Sequence, residues 1–164
     1  MNQSDVDSPR EIDRAAFDDD GFVVVRKLFT PAEVAGIRDT FMAQADAGPI
    51  EGLSDVPRAA GENDPLLKYP RMLHPHLHMD KPIGALSMRC MLDPRLAPIL
   101  RHLFGDEPFA VQSMFYFKPP GARGQDFHQD NFYLRVKPGT CIGMWLAIDD
   151  ASADNGGMVV VLGS

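Results

Sequence analysis

A histidine and an aspartate stand two residues apart in the segment FHQDNFYLRV, residues 127–136. The alternating aromatic and branched residues of this segment predict a β-strand, and side chains two apart along a strand point to the same face. His128 and Asp130 could therefore bind one metal ion together. One imidazole and one carboxylate are two of the three ligands of the facial triad that holds Fe(II) in non-haem oxygenases. A local hydrogen bond on a surface strand is the alternative explanation.

Three more histidines alternate in the segment HPHLH, at His74, His76 and His78. If this segment is extended, their imidazoles share a face and could bind Zn(II) or Ni(II). The internal proline and the loop-like surroundings argue against a dedicated metal site, and Asp80 is the nearest carboxylate. Adventitious metal binding is the simpler interpretation.

Composition and charge restrict the class of partner. The chain has 164 residues, of which 45% are hydrophobic and 24% charged, and this is the balance of an ordinary globular domain. Its net charge of −7 argues against nucleic acid or an anionic membrane as a partner. Cys90 and Cys141 fit no metal or redox motif, so two free thiols are expected. With no signal peptide and no membrane-spanning run, the sequence predicts a cytoplasmic protein.

Residues 1–10 are polar and predict a disordered tail, and residues 11–164 are predicted to form a single domain. A short helix is expected to close near Gly21, followed by a strand at residues 22–29. The next helix should begin after Thr30, because the segment TPAE has the pattern of a capping box with proline at the first helical position.

The remaining chain divides into a helical part and a strand-like part. Residues 49–82 are loop-like, and residues 82–105 have helical periodicity, broken by prolines into two pieces. Strand-like runs separated by turn residues follow at residues 109–121, 127–136, 140–149 and 157–163. Helices followed by strands predict an α+β fold with an antiparallel sheet or barrel. Because the sequence stops directly after an apolar strand, the expectation is that the chain is truncated.

Several motifs in the same order resemble one family. The segments QSMFYFKPPG, FHQDNFYL and CIGMWLAIDDASADNGGMVVVLGS are similar to the phytanoyl-CoA dioxygenase family of Fe(II)/2-oxoglutarate oxygenases. DDDGFVVVRKLFTPAEVAGIRDTF resembles the opening strand and helix of that family, and LAPILRHLFGDEP its helix before the core strands. The resemblance covers nearly all of residues 17–164. It implies N-terminal helices plus a double-stranded β-helix, a jelly-roll or cupin-like barrel, of which this chain would hold an incomplete part.

The resemblance also assigns the metal ligands. His128 and Asp130 match the first two iron ligands and would be the catalytic residues. The third ligand of the family is a histidine that follows a PGS or PGT segment. Here the corresponding stretch is VLGS, with Leu162 in place of the proline, and the sequence stops before that histidine and before the arginine that binds 2-oxoglutarate.

Cofactor contacts are expected on the strand before the KPPG turn and on a later strand. Gln112, Met114 and Tyr116 alternate, so they should share a face. Met114 and Trp145 match family positions near 2-oxoglutarate, and Gln112 is a further candidate to contact 2-oxoglutarate or the substrate. Packing in the barrel core is the alternative for each. One of the histidines in HPHLH would lie near the substrate entrance of the family.

The resemblance implies an enzyme that uses Fe(II), 2-oxoglutarate and O₂ to hydroxylate a C–H bond of a small organic substrate. The expected partner is that small molecule, without nucleic acid or membrane, and neither the substrate nor the oligomeric state can be read from the residues. Two alternatives stay open. The chain could be an inactive half-barrel, or a non-redox cupin-like module that binds metal through His128, Asp130 and a loop histidine. The 164-residue chain alone is expected to bind Fe(II) weakly and not to turn over 2-oxoglutarate.

Overall fold

The computed structural model describes residues 12–55, 61, 63–122 and 124–164. The predicted tail lies outside the described residues. Helices and a small antiparallel sheet make up an α+β fold, as the sequence predicts. The helices are α1 (Arg14–Asp20), α2 (Pro31–Ala47), α3 (Pro82–Met91), α4 (Leu96–Phe104) and α5 (Asp130–Leu134), and the strands are β1 (Ser54–Asp55), β2 (Arg71–Leu73) and β3 (Met114–Phe115). Short 3₁₀ turns lie at Pro65–Leu67, Pro75–Leu77 and Ala153–Asn155.

Helix α2 begins where the capping-box pattern predicts. The Thr30 hydroxyl accepts a hydrogen bond from the Glu33 amide, and the Thr30 amide donates to the Glu33 carboxylate at 2.7 Å. These two bonds satisfy backbone donors that have no partner inside the helix. The predicted helical stretch at 82–105 is likewise two helices, and Gly105 closes the second in the left-handed conformation.

The sheet has the order β1-β2-β3, and all its pairings are antiparallel. Met72, at the centre of β2, is fully buried and faces α2 and α3. The Phe41 ring of α2 stacks on Phe115 of β3, with their centroids 3.7 Å apart. Since side chains alternate along a strand, Arg71 and Leu73 of β2 belong to the opposite face, with Met114 and Tyr116. That second face carries the polar groups of Arg71 and Tyr116.

Most of the predicted strands are absent from the described residues. Within residues 109–121 only β3 pairs, and residues 127–136 contain helix α5 instead of a strand. The runs 22–29, 140–149 and 157–163 form no ladder. The strand assignment of residues 127–136 was wrong. The other runs stay unpaired here because β-propensity reports a side-chain preference, whereas a strand also needs a neighbour for its backbone groups.

Cys90 and Cys141 are both free thiols, as predicted. Among the described residues, every helix is too short or too polar to cross a bilayer.

Candidate functional site

His128 lies just before helix α5, and its two ring nitrogens have different partners. Nδ1 lies 2.7 Å from the Asp126 backbone carbonyl, which can only accept a hydrogen bond, so Nδ1 carries the proton. The Gln125 side-chain amide donates towards Nε2 at 3.3 Å. In the neutral ring, Nε2 is therefore the nitrogen that carries the electron pair, towards which Gln125 donates. This is the tautomer in which a histidine binds a metal through Nε2.

Asp130 is the first residue of α5, where a carboxylate is favoured by the amide groups of the helix start. Its Oδ1 lies 3.3 Å from His128 Nε2. The side chains are 28% exposed for His128 and 45% for Asp130, so a ligand can reach both. The two residues therefore meet across the start of a short helix, although the sequence predicted that they would meet along a strand.

The segment around residues 141–143 covers the other side of the Asp130 carboxylate. A side-chain carbon at Gly143 would lie 3.0 Å from Asp130 Oδ2, which is closer than most such contacts. Burial raises the pKa of the Cys141 thiol, and the negative charge of Asp130 raises it further. Gly143 thus leaves the space that the second carboxylate oxygen occupies.

The donor set of this pair suits a cation. In the neutral imidazole, Nε2 and Oδ1 are both electron-pair donors and face each other, an arrangement that a shared positive ion would stabilise. Two donors that each lie about 2.1 Å from one ion at a right angle are about 3 Å apart. The observed distance is close to that spacing, and an imidazole with a carboxylate matches the ligand preference of Fe(II).

The described residues do not complete the site. Within the described ranges, no group of three or more histidine, cysteine, aspartate or glutamate side chains could hold a metal ion. The loop histidines are engaged elsewhere. Buried His76 shares a 2.7 Å hydrogen bond with the Ser113 hydroxyl, and His74 Nε2 lies 3.4 Å from the Gln112 side-chain oxygen. Burial lowers the pKa of His76, and His74 lowers it further. These contacts join the HPHLH segment to the region of β3.

Three side chains that the sequence predicts to share a face lie on and around β3. The Tyr116 hydroxyl donates to the Met114 sulfur at 3.0 Å, and the Gln112 amide lies 3.6 Å from the same sulfur. Gln112, Met114 and Tyr116 therefore share a face, as their alternation predicts. Trp145 is 49% exposed, and in the described part of the chain no hydrogen bond or ring contact joins it to His128 or Asp130.

Sequence reasoning missed two residues at this site. Arg71 of β2 places its guanidinium 5.9 Å from the centre of the Tyr116 ring. No local sequence pattern predicts a contact between two residues so distant in the sequence. Gly143 did leave a signal, because an isolated glycine in a strand-like run often marks a close approach by another group.

Comparison with known proteins identifies the family. The model of the phytanoyl-CoA dioxygenase (PhyH) family matches residues 17–164, which include all the site residues above. The chain belongs to the phytanoyl-CoA dioxygenase family. This confirms the resemblance read from the motifs.

The relatives in this family include several named dioxygenases. Ectoine dioxygenase of Sphingopyxis alaskensis is 32% identical over 92% of this chain and 48% of its own length. A probable alpha-ketoglutarate-dependent hypophosphite dioxygenase of Stutzerimonas stutzeri is 28% identical over 89% of the chain and 50% of its own. Phytanoyl-CoA dioxygenase 1 of rice, Oryza sativa subsp. japonica, is 45% identical over 35% of the chain and 21% of its own.

The chain thus spans about half the length of the ectoine dioxygenase and of the hypophosphite dioxygenase. No solved structure gives a significant match.

Proposed function

We propose that the protein is an Fe(II)- and 2-oxoglutarate-dependent dioxygenase that hydroxylates a C–H bond of a small organic substrate. The observation that carries the proposal is the pair His128 and Asp130, whose Nε2 and carboxylate oxygen face each other at 3.3 Å. Family membership supports it, and so do relatives that are named as dioxygenases. The proposal concerns the whole protein, for which the family resemblance implies a further histidine ligand and an arginine for 2-oxoglutarate.

Each residue of the pair has a defined task in this proposal. His128 would bind the metal through Nε2, while the Asp126 carbonyl holds the proton on Nδ1 and fixes the orientation of the ring. Asp130 would bind through Oδ1 and supply a negative charge that offsets part of the charge of Fe(II). Bound Fe(II) with 2-oxoglutarate supplies the activation of O₂.

The face of Gln112, Met114 and Tyr116, together with Trp145, is proposed to contact 2-oxoglutarate or the substrate. Met114 and Trp145 are large apolar side chains, which would keep water from that part of the site. The extended runs of the second half are proposed to form strands of a jelly-roll barrel around it.

Iron binding and turnover in the whole protein test the metal assignment. His128→Ala and Asp130→Ala should each remove most of the bound Fe(II) and abolish succinate formation from 2-oxoglutarate. Asp126→Ala is the matched control, because it removes a neighbouring carboxylate and keeps the backbone carbonyl that His128 uses. Turnover that survives in His128→Ala or Asp130→Ala would refute the ligand assignment.

A further inference from the structure

The segment HPHLH leaves strand β2 at His74 and passes beside the start of β3. The His74 amide donates to the Ser113 carbonyl at 2.9 Å, which extends the β2–β3 ladder by one hydrogen bond. His74 then adopts the left-handed backbone conformation, with φ of 54°, and Pro75–Leu77 form a 3₁₀ turn. After this change of direction the His74 and His76 rings lie edge to face, with their centroids 6.0 Å apart.

The two rings contact consecutive residues of the chain that leads into β3. The buried His76 places Nδ1 2.7 Å from the Ser113 hydroxyl oxygen, towards which its own backbone amide also points at 3.4 Å. His74 Nε2 lies 3.4 Å from the Gln112 side-chain oxygen. Gln112 shares the face of Met114, and Ser113 points to the opposite face because side chains alternate along an extended chain. The two histidines therefore hold this stretch from both of its faces.

The contact with His74 also sets the direction of the Gln112 amide group. An amide oxygen can only accept a hydrogen bond, so His74 Nε2 is the donor. The Gln112 side-chain nitrogen is turned the other way and lies 3.6 Å from the Met114 sulfur. A thioether sulfur is a weak acceptor, so the N–H groups of Gln112 remain able to donate to an oxygen of a ligand.

Helix α3 supports the HPHLH segment from behind. Pro75 is fully buried, and the Lys81 amide donates to the His78 carbonyl at 2.9 Å. Gly84 of α3 lies so close to this carbonyl that a side-chain carbon at position 84 would collide with it. His76 thus stands on a closely packed support, and a side chain held in this way can fix the position of its hydrogen-bond partner.

We propose that His76 is a positioning residue, which fixes Gln112 and Met114 through its hydrogen bond to Ser113, the residue between them. His76 itself does not touch a ligand. The inference rests on the proposed function, in which Gln112 and Met114 belong to the face that contacts 2-oxoglutarate or the substrate. It gives the HPHLH segment a role in ligand binding that requires no metal at its histidines.

Titration of the whole protein with 2-oxoglutarate, at saturating Fe(II) and without oxygen, tests this role. The visible absorption of 2-oxoglutarate on Fe(II) reports its binding. His76→Leu should weaken the binding of 2-oxoglutarate about tenfold, the scale of losing one buried hydrogen bond. His76→Asn should restore most of the affinity, because its side-chain amide can occupy the place of Nδ1. Fe(II) affinity should be the same in both variants as in the unmodified protein.

The partner residue gives an independent test that keeps the histidine. Ser113→Ala should weaken 2-oxoglutarate binding as His76→Leu does, because each change removes one side of the same hydrogen bond. The double variant should then bind 2-oxoglutarate no more weakly than either single variant. Two effects that simply add would overturn the proposal.

His78→Leu is the matched control, since it changes a histidine of the same segment whose ring forms no hydrogen bond within the described part of the chain. It should leave the affinity for 2-oxoglutarate unchanged. Unchanged affinity in His76→Leu would overturn the proposal, and so would a His76→Asn variant as weak as His76→Leu. A fall in Fe(II) affinity in step with the loss of 2-oxoglutarate would also overturn it, since the damage would then be general.

Hydrogen exchange of the His74 amide distinguishes a failure of this inference from a failure of the proposed function. This amide donates to the Ser113 carbonyl, so it should exchange faster in His76→Leu and at its original rate in His76→Asn. If the absorption never forms in the unmodified protein, the dioxygenase proposal fails and the exchange rates alone decide whether His76 fixes this stretch. If the absorption forms and neither the exchange rate nor the affinity responds to His76→Leu, the positioning role fails alone.

Discussion

Gly143 is the residue on which the shape of the proposed metal pair depends most directly. Gly143→Ala would place a methyl group 3.0 Å from Asp130 Oδ2, so the carboxylate must move by a few tenths of an ångström. The backbone at Gly143 suits any residue, so we expect the free energy of unfolding to change little. Fe(II) affinity should fall about tenfold, the lower end for changes next to metal ligands. Equilibrium titration of the whole protein with Fe(II) measures the effect.

Gly124→Ala makes the same change four residues before His128, where a methyl group would meet open space. This control should keep its Fe(II) affinity. An unchanged affinity in Gly143→Ala would mean that Asp130 does not approach the metal in the orientation described above.

At the scale of elements, Arg95 joins the start of α2 to the turn between α3 and α4. Its guanidinium donates to Glu33 at 2.8 Å, to Asp93 at 2.7 Å and to the Leu28 carbonyl at 2.8 Å. The hydrogen bond from Arg95, followed by those from the Thr30 amide and hydroxyl, lowers the pKa of Glu33 to about 2. One carboxylate thus serves both the helix cap and the contact between helices.

This network predicts a specific acid sensitivity. The pKa of Glu33 is lower in the folded chain than its ordinary value, so ionised Glu33 stabilises the fold fully above about pH 4.5 and loses this effect as the pH falls towards about 2. Glu33→Gln should lower the free energy of unfolding at neutral pH by about 1 kcal/mol, a modest value because solvent screens this exposed group. Urea unfolding at several pH values measures this effect. Between these two pH limits, the free energy of unfolding should fall less steeply with acid in the variant than in the unmodified protein.

Glu51→Gln is the control, since Glu51 is an exposed glutamate outside this network. The free energy of unfolding of this control should change with pH as that of the unmodified protein does. A Glu33→Gln variant whose stability declines with acid as steeply as the unmodified protein would contradict the assignment.

The elements differ in how well the sequence predicts them, and the reason is the range of the interactions that form them. The start of α2 depends on Thr30 and Glu33, three residues apart, and Gly105 closes α4 by its own conformation, so both were predicted correctly. Strand β3 needs β2, some forty residues earlier in the chain, and apolar runs without such a neighbour stayed unpaired. The proximity of His128 and Asp130 was predicted from their spacing, although on a strand and not at the start of a helix. The neighbourhood of Arg71 depends on this long-range pairing.

At the scale of the whole molecule, the second half of the chain exposes an unusual number of large apolar side chains. The run from Met158 to Leu162 is exposed throughout, with Val159 at 65% and Val160 at 41%. Scattered apolar residues are normal on a surface, but a contiguous apolar run usually marks a surface that another segment or molecule covers. The proposed jelly-roll barrel would bury one or both faces of this run.

Lysine substitutions in the whole protein decide between an exposed run and a barrel strand. Neighbouring residues of a strand point to opposite faces, so a barrel must bury Val159, Val160 or both. We therefore expect Val159→Lys or Val160→Lys to lower the free energy of unfolding by about 2 kcal/mol or more, the scale of burying a charge or losing a buried valine. Leu92→Lys, at an exposed position after α3, should cost little. If both valine variants are as stable as Leu92→Lys in urea unfolding, residues 157–163 are not a barrel strand, and the jelly-roll proposal fails there.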